Sequence, residues 1–363
     1  IDFKDEIPYF FKTSTKSALS HDLFASAFYL LTRYEEYLPS IKDSLGRFQS
    51  KNSLAFQNGF LKMPVVDLWA KEILHKIQEK YPDIKAHQQP FSFVNTISVH
   101  EVFKYAQRGI LGTILGLVQD FFKFKLYAIK ERIQVILSLK KDPYNTFRFL
   151  LDVHKQNQLK SIFFFSIGSL SEYDNNISVE RAYYRELIKS IEDYSFIGTL
   201  FSMRSTAQNS LKKEEKKIME MISHRTPNRS RQHLLKLDLP FTYRDLIKID
   251  IKKDFSMGYY DEIGFRASTC SPFLFYDLKH ETLTLLKVFP SIFNDHALKR
   301  KYGHNRKKIK QEILSLIMTV KEFNGVFVST FHNDTFSNES QWKGWKEIYL
   351  DFIDTINTTQ NQK

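Results

Sequence analysis

The chain has 363 residues, of which 42% are hydrophobic and 26% charged. That excludes a disordered or collagen-like polypeptide and suits about two domains, or one large barrel with an appendage. The net charge of +12 admits nucleic acid, anionic lipid or an acidic glycan as a partner, and equally describes a plain Lys-rich soluble protein. A single cysteine, Cys270, excludes an internal disulfide framework and a Cys-rich zinc site.

Residues 1–88 read as a helical N-terminal region, the end of a larger domain. Asp22 is placed to cap a helix that carries Phe24, Ala27, Phe28 and Leu31 on one face. A second amphipathic helix, Val65 to Tyr81, has Leu68, Trp69, Ile73, Leu74 and Ile77 as its apolar set. The chain begins at Ile1 rather than Met and reads as a piece of a longer polypeptide. A cytoplasmic location is the expectation.

From residue 89 the rhythm changes to apolar strands alternating with helices. Strands are expected at 91–97, 161–166, 196–201, 232–237, 257–260, 274–276, 283–288 and 326–330, with a long basic helix over 111–139 and further helices between. Buried strands alternating with helices predict a parallel sheet, and their number suits an α/β barrel over 89–357. A polar tail, 358–363, should fray. No apolar run approaches the roughly 18 residues a transmembrane helix needs. The stretch Phe121 to Lys130 mixes aromatics with lysines, which leaves two readings: peripheral membrane contact, or a helix covering the outside of a barrel.

In a parallel α/β barrel the functional side chains gather at the carboxyl ends of strands. Those positions hold Ser98, His100 and Glu101; Ser202; Arg231 and His233; Asp254; Arg266; Asp295; and His332, Asn333 and Asp334. Imidazoles and carboxylates converging from separate strands are how a hydrolytic metal site is commonly assembled. His332 follows the last clear strand, where a general acid could reach a leaving group. Gly-rich phosphate loops and nucleophile elbows are absent from the sequence, and no motif or basic stripe with stacking aromatics points to nucleic acid.

The words Ser230-Arg231-Gln232-His233, Ser256-Met257-Gly258-Tyr259, Gly264-Phe265-Arg266-Ala267-Ser268-Thr269-Cys270 and Phe275-Tyr276-Asp277 resemble the polysaccharide deacetylase-like proteins of Bacteroidetes, a divergent branch of the chitooligosaccharide deacetylase (carbohydrate esterase family 4) barrel. So do Phe28 to Tyr37, Pro64 to Ala70, Asp142-Pro143-Tyr144 and Lys343-Gly344-Trp345. The resemblance implies a deformed (β/α) barrel after a helical region, and metal-assisted removal of an acetyl group from an amino sugar in a glycan. It implies a divalent cation, zinc first, with His332 as the acid, Arg231 bracing a base, and Asp254 and Asp295 in catalytic positions. Arg266, Tyr259 and Asn333 would meet substrate, and His100 and His233 would be metal ligands.

Two family motifs depart from the pattern. Where relatives place Asp-x-Asp after the first strand, this chain has Ser98 and His100; where they place a metal-binding His, it has Leu200. A serine hydroxyl is no base near neutral pH, and Leu binds no cation. Glu101 could replace the base only if the chain bends, because neighbours on a strand face opposite sides. Two readings therefore stand: a deacetylase with an altered metal site, and a catalytically silent relative, without a cofactor, that recognises a glycan or pairs with a partner. Oligomeric state is not legible.

Overall fold

The computed structural model describes residues 1–86, 89–337 and 339–361. In chain order its elements are β1 (Asp2–Lys4), β2 (Ile7–Tyr9), α1 (Leu23–Leu31), α2 (Leu54–Gln57), α3 (Val65–Lys80), β3 (Ser92–Val99), α4 (Gly109–Phe122), α5 (Leu126–Ile136), α6 (Phe147–Gln156), β4 (Ile162–Ser166), α7 (Ala182–Glu192) and β5 (Phe196–Phe201). Then follow α8 (Asn209–Ile222), β6 (Arg229–Gln232), α9 (Phe241–Lys248), β7 (Lys253–Asp254), β8 (Phe273–Asp277), β9 (Thr282–Val288), β10 (Phe293–Asn294), α10 (Asp295–Tyr302), α11 (Arg306–Glu322), β11 (Val326–His332) and α12 (Trp345–Asn361). This is the expected α/β class, with the strand–helix succession of a (β/α) barrel. No helix among the described residues is long and apolar enough to cross a membrane.

The chain divides into two compact units. The first holds Ile1–Asn95, Asn228–Thr330 and Asp351–Lys363. Its strands β6, β7 and β9 pair in parallel, β8 runs antiparallel to β9, and β10 pairs in parallel with β11, Phe293 opposite Ser329 and Asn294 opposite Thr330. The N-terminal residues are not purely helical, since β1 and β2 form an antiparallel hairpin beside α1–α3. Tyr9, Phe10, Leu30, Phe60, Val65 and Trp69 build a core there that also takes in Tyr259. Backbone bonds tie this region to later chain: Phe265 N–H donates to the Leu61 carbonyl at 2.8 Å, and Val66 N–H to that of Ser268 at 3.1 Å. A second core joins the rings of Phe93, Phe293, Phe327 and Phe352.

The second unit holds Thr96–Pro227 and Phe331–Leu350. Here β3, β4 and β5 pair in parallel, with Ser98 opposite Phe164 and Ser166 opposite Leu200. Phe163, Phe164 and Phe165 are all fully buried, so β4 reads as an unbroken apolar run and not as an alternating one.

Several elements differ from the sequence reading. The expected helix over 111–139 is two helices, broken at Lys123-Phe124-Lys125, where Phe124 takes a left-handed φ of 54°. The strand expected at 232–237 ends at Gln232, and Leu234 and Leu235 turn away with positive φ. Residues 257–260 form no strand; the strand is the short β7 just before them. Asp22 does cap α1, accepting from Ala25 N–H at 2.9 Å, but the buried face is Leu23, Ser26 and Leu30. Phe24 and Phe28 on the other apolar face are exposed. Helix α12 continues to Asn361 through residues read as a frayed tail; Gln362 and Lys363 lie outside the described residues. The expected boundary at residue 88 also falls on residues that are not described.

Candidate metal centre

Strand β10 is only two residues long, and its second residue already begins the next element. Asn294 caps α10: its side-chain oxygen accepts from Ala297 N–H at 2.8 Å, and its amide donates to the Tyr259 carbonyl at 2.9 Å. Asp295 and His296 are therefore fixed in the first turn of a helix, where the backbone dipole favours a carboxylate. Asp295 is fully buried and accepts from His296 N–H at 2.9 Å, and the His296 ring stacks on Tyr260 with centroids 6.0 Å apart.

Strand β11 is the parallel neighbour of β10, and it ends at His332. Asn294 sits opposite Thr330, so the register carries the residues just after β10 alongside the last two of β11. Asp295, His296 and His332 each offer one ligand atom, and these atoms lie within 4.8 Å of one another. They form the one such group of three among the described residues. The His100 ring, just past the end of β3, lies 5.5 Å from that of His332, at a steep 74°.

Arg231 is fully buried, and its Nε donates to the Phe255 carbonyl at 3.1 Å. Burial pulls its pKa down to about 9, while the negative charges of Asp254 and Asp295 oppose that fall. Asp254 is held by hydroxyls: it accepts from Ser230 Oγ at 2.8 Å, Ser256 Oγ at 2.9 Å and Ser256 N–H at 2.9 Å. Burial nevertheless raises its pKa above the ordinary carboxylate value. Asp254 thus accepts from a cradle of hydroxyl and backbone donors that fixes the β6–β7 ends.

The other candidates lie as follows. Ser98 and Leu200 are buried within β3 and β5. His233 is buried in the turn after β6 and joins no group of three ligand-type side chains among the described residues. Arg266 clamps Glu36 through two bonds, 2.9 and 2.6 Å, and donates to the Gly258 carbonyl at 3.0 Å; an internal acid takes up its fork, and Asp277 pairs instead with Arg244. The Tyr259 hydroxyl accepts from Arg33 at 3.0 Å. The Asn333 amide donates to the carbonyls of Glu101 and Tyr144, at 2.8 and 3.1 Å, and so ties two loops together. Glu101 meets Arg108 and Asn175, and burial raises its pKa. It also lines a cleft of about 1550 Å³ in the second unit, with Lys104, Tyr144, Phe149 and Lys346 among the walls. That is larger than the usual small-molecule pocket.

His296 was not legible as a candidate from strand ends, because it stands one residue inside a helix. The available signal was an Asp-His pair immediately after an Asn that can cap a helix.

Residues 1–82 match a protein family described as a family of unknown function (DUF7033). No curated protein matches the chain. Among solved structures, the chain is similar to a candidate polysaccharide deacetylase from Mycobacterium smegmatis, with 12% identity, a TM-score of 0.48, and coverage of 77% of this chain and 87% of that one. It is also similar to a 4-alpha-glucanotransferase from Thermococcus litoralis, with 13% identity, a TM-score of 0.44, and coverage of 74% and 38%. Neither reaches the similarity at which a shared fold or function would follow.

Proposed function

We propose that this chain is a polysaccharide deacetylase-like hydrolase that removes an acetyl group from an N-acetylated glycan, using a divalent cation held by Asp295, His296 and His332. The observation that carries the reading is the gathering of those three ligand atoms within 4.8 Å. One carboxylate and two imidazoles are a donor set that suits zinc with an open coordination position. Such a cation, when bound, supplies a more acidic water and polarises a carbonyl.

The chain's own groups do the rest. Arg231 and Asp295 attract one another in the buried interior. His332 becomes a ligand in this reading, and His100, whose ring lies beside it, takes over proton delivery to the departing amine. His233 is left out of the centre. In this reading the cleft that Glu101 lines, about 1550 Å³ in volume, receives the neighbouring sugar units; Asp295, His296, His332 and His100 are not among its walls. The one thiol, buried Cys270, suits a reducing compartment such as the cytoplasm.

A second reading rests on Ser98 and Leu200, which are buried in their strands at positions where the resemblance asks for a base and a ligand. It makes the chain a silent glycan-binding relative. Acetate release from N-acetylglucosamine oligomers, in the presence of zinc or cobalt, separates the two. Activity that disappears in His296→Ala supports the hydrolase. Glycan binding by calorimetry with no acetate released favours the binder.

A further inference from the structure

The hairpin formed by α4 and α5 is built inside out. Its interior is polar: Arg132 donates to Asp120 at 2.8 and 3.2 Å and lies 4.7 Å from the Tyr105 ring centroid. Helix α4 approaches this guanidinium through Gly116, where an added Cβ would stand 2.3 Å from Arg132 Nη1. The apolar side chains of α4 are consequently left exposed, while Phe124, Lys125 and Leu126 at the turn also line the cleft that Glu101 lines. No described residue of α4 is buried. Ile110 and Phe124 are 83% and 88% exposed, and Leu111, Leu115, Phe121 and Phe122 are exposed with them. Continuous exposed apolar surface of this kind is unusual on a soluble protein and marks an interaction face.

Charge decides the occupant. The acids of the hairpin are both engaged, Asp120 by Arg132 and Glu131 by Lys140, Lys104 and Tyr105. Lys123, Lys125 and Lys130 are exposed and have no ion-pair partner among the described residues. Two of them flank Phe124 at the helix–helix turn. An apolar face rimmed by cations of one sign complements an anionic lipid surface, into which the rings insert while the ammonium groups stay at the headgroups.

We infer that the α4–α5 hairpin docks the protein on an anionic membrane surface. This inference does not depend on the hydrolase reading. The test is co-sedimentation of the full chain with vesicles of phosphatidylcholine, alone or mixed with phosphatidylglycerol. The parent should bind the mixed vesicles more tightly, and less so as salt rises. Lys123→Ser and Lys125→Ser should each weaken that binding roughly five-fold. Phe122→Ser with Phe124→Ser should abolish it, while Phe24→Ser, at an exposed ring in the first unit, should leave it unchanged. All these side chains are exposed, and unaltered circular dichroism shows that the variants fold. Absence of binding to mixed vesicles, or binding indifferent to the Lys and hairpin Phe changes, overturns the inference. So does sedimentation equilibrium showing a dimer that the hairpin Phe variant alone dissociates.

Discussion

Glu36 is the hinge of a buried network, and removing its charge is the sharpest stability test of the first unit. Arg33 Nε donates to it at 2.8 Å, and Arg266 clamps it at 2.9 and 2.6 Å. Burial alone would raise its pKa, but the Arg266 and Arg33 charges, with their hydrogen bonds, hold it down from 4.5 to about 2. At about 1.4 kcal/mol per pH unit this depression corresponds to about 3 kcal/mol. Because the folded value is the lower one, the contribution is complete above pH 4.5 and is lost as pH falls toward 2. Glu36→Gln at pH 7 should therefore cost about 3–5 kcal/mol, the range for breaking a buried ion pair. Native-state hydrogen exchange on the amides of α1 and α3 reads the opening free energy of this unit without assuming that the whole chain unfolds in one step. Adding Arg266→Met should recover part of the loss, since the orphaned guanidinium goes with it. A loss below about 1 kcal/mol, or losses that simply add in the double variant, would show that the network does not hold the N-terminal region as argued.

His154 is buried against the Tyr349 hydroxyl at 2.7 Å, and burial lowers its pKa from 6.5 to about 4. Its contribution is full above pH 6.5 and vanishes as pH falls through 4, so an NMR titration should place its midpoint near 4; a midpoint at the ordinary value refutes the burial argument. Glu215 has the opposite sign, because burial raises it from 4.5 to about 7 despite the Ser202 N–H at 3.1 Å. Its contribution is complete below pH 4.5 and lost as pH rises through 7, so Glu215→Gln should stabilise the second unit relative to the parent at pH 8, by urea titration, and not at pH 5. Gly264 has φ +133° and would place a Cβ 2.5 Å from the Leu61 carbonyl oxygen. Gly264→Ala should cost at least about 2 kcal/mol, and a neutral outcome in thermal unfolding would contradict the close approach.

The alternation of apolar strands with helices was readable from residue 89 onward because β4 and β5 bury nearly every side chain and need no partner to be recognised. What escaped was set by single backbone angles and by competition between faces. Nothing in Lys123-Phe124-Lys125 announces that Phe124 adopts a left-handed conformation, so one helix was expected where there are two. In the nine-residue α1 two apolar faces have equal helical spacing, and tertiary packing chose Leu23 and Leu30 over Phe24 and Phe28. At the candidate centre, Asp295 and His332 were legible as strand-end residues. His296 was not, since its place depends on α10 starting directly after a two-residue strand.

The proposed hydrolase needs Asp295, His296 and His332 to act together as a cation site. Titration of the metal-free chain with cobalt(II), followed by the visible absorption of a tetrahedral or five-coordinate centre, measures this without any substrate. One equivalent should bind and give intense d–d bands; His296→Ala and His332→Ala should each abolish them, and His233→Ala should not. Bands that survive loss of either His296 or His332, or no binding by a correctly folded parent, would contradict it.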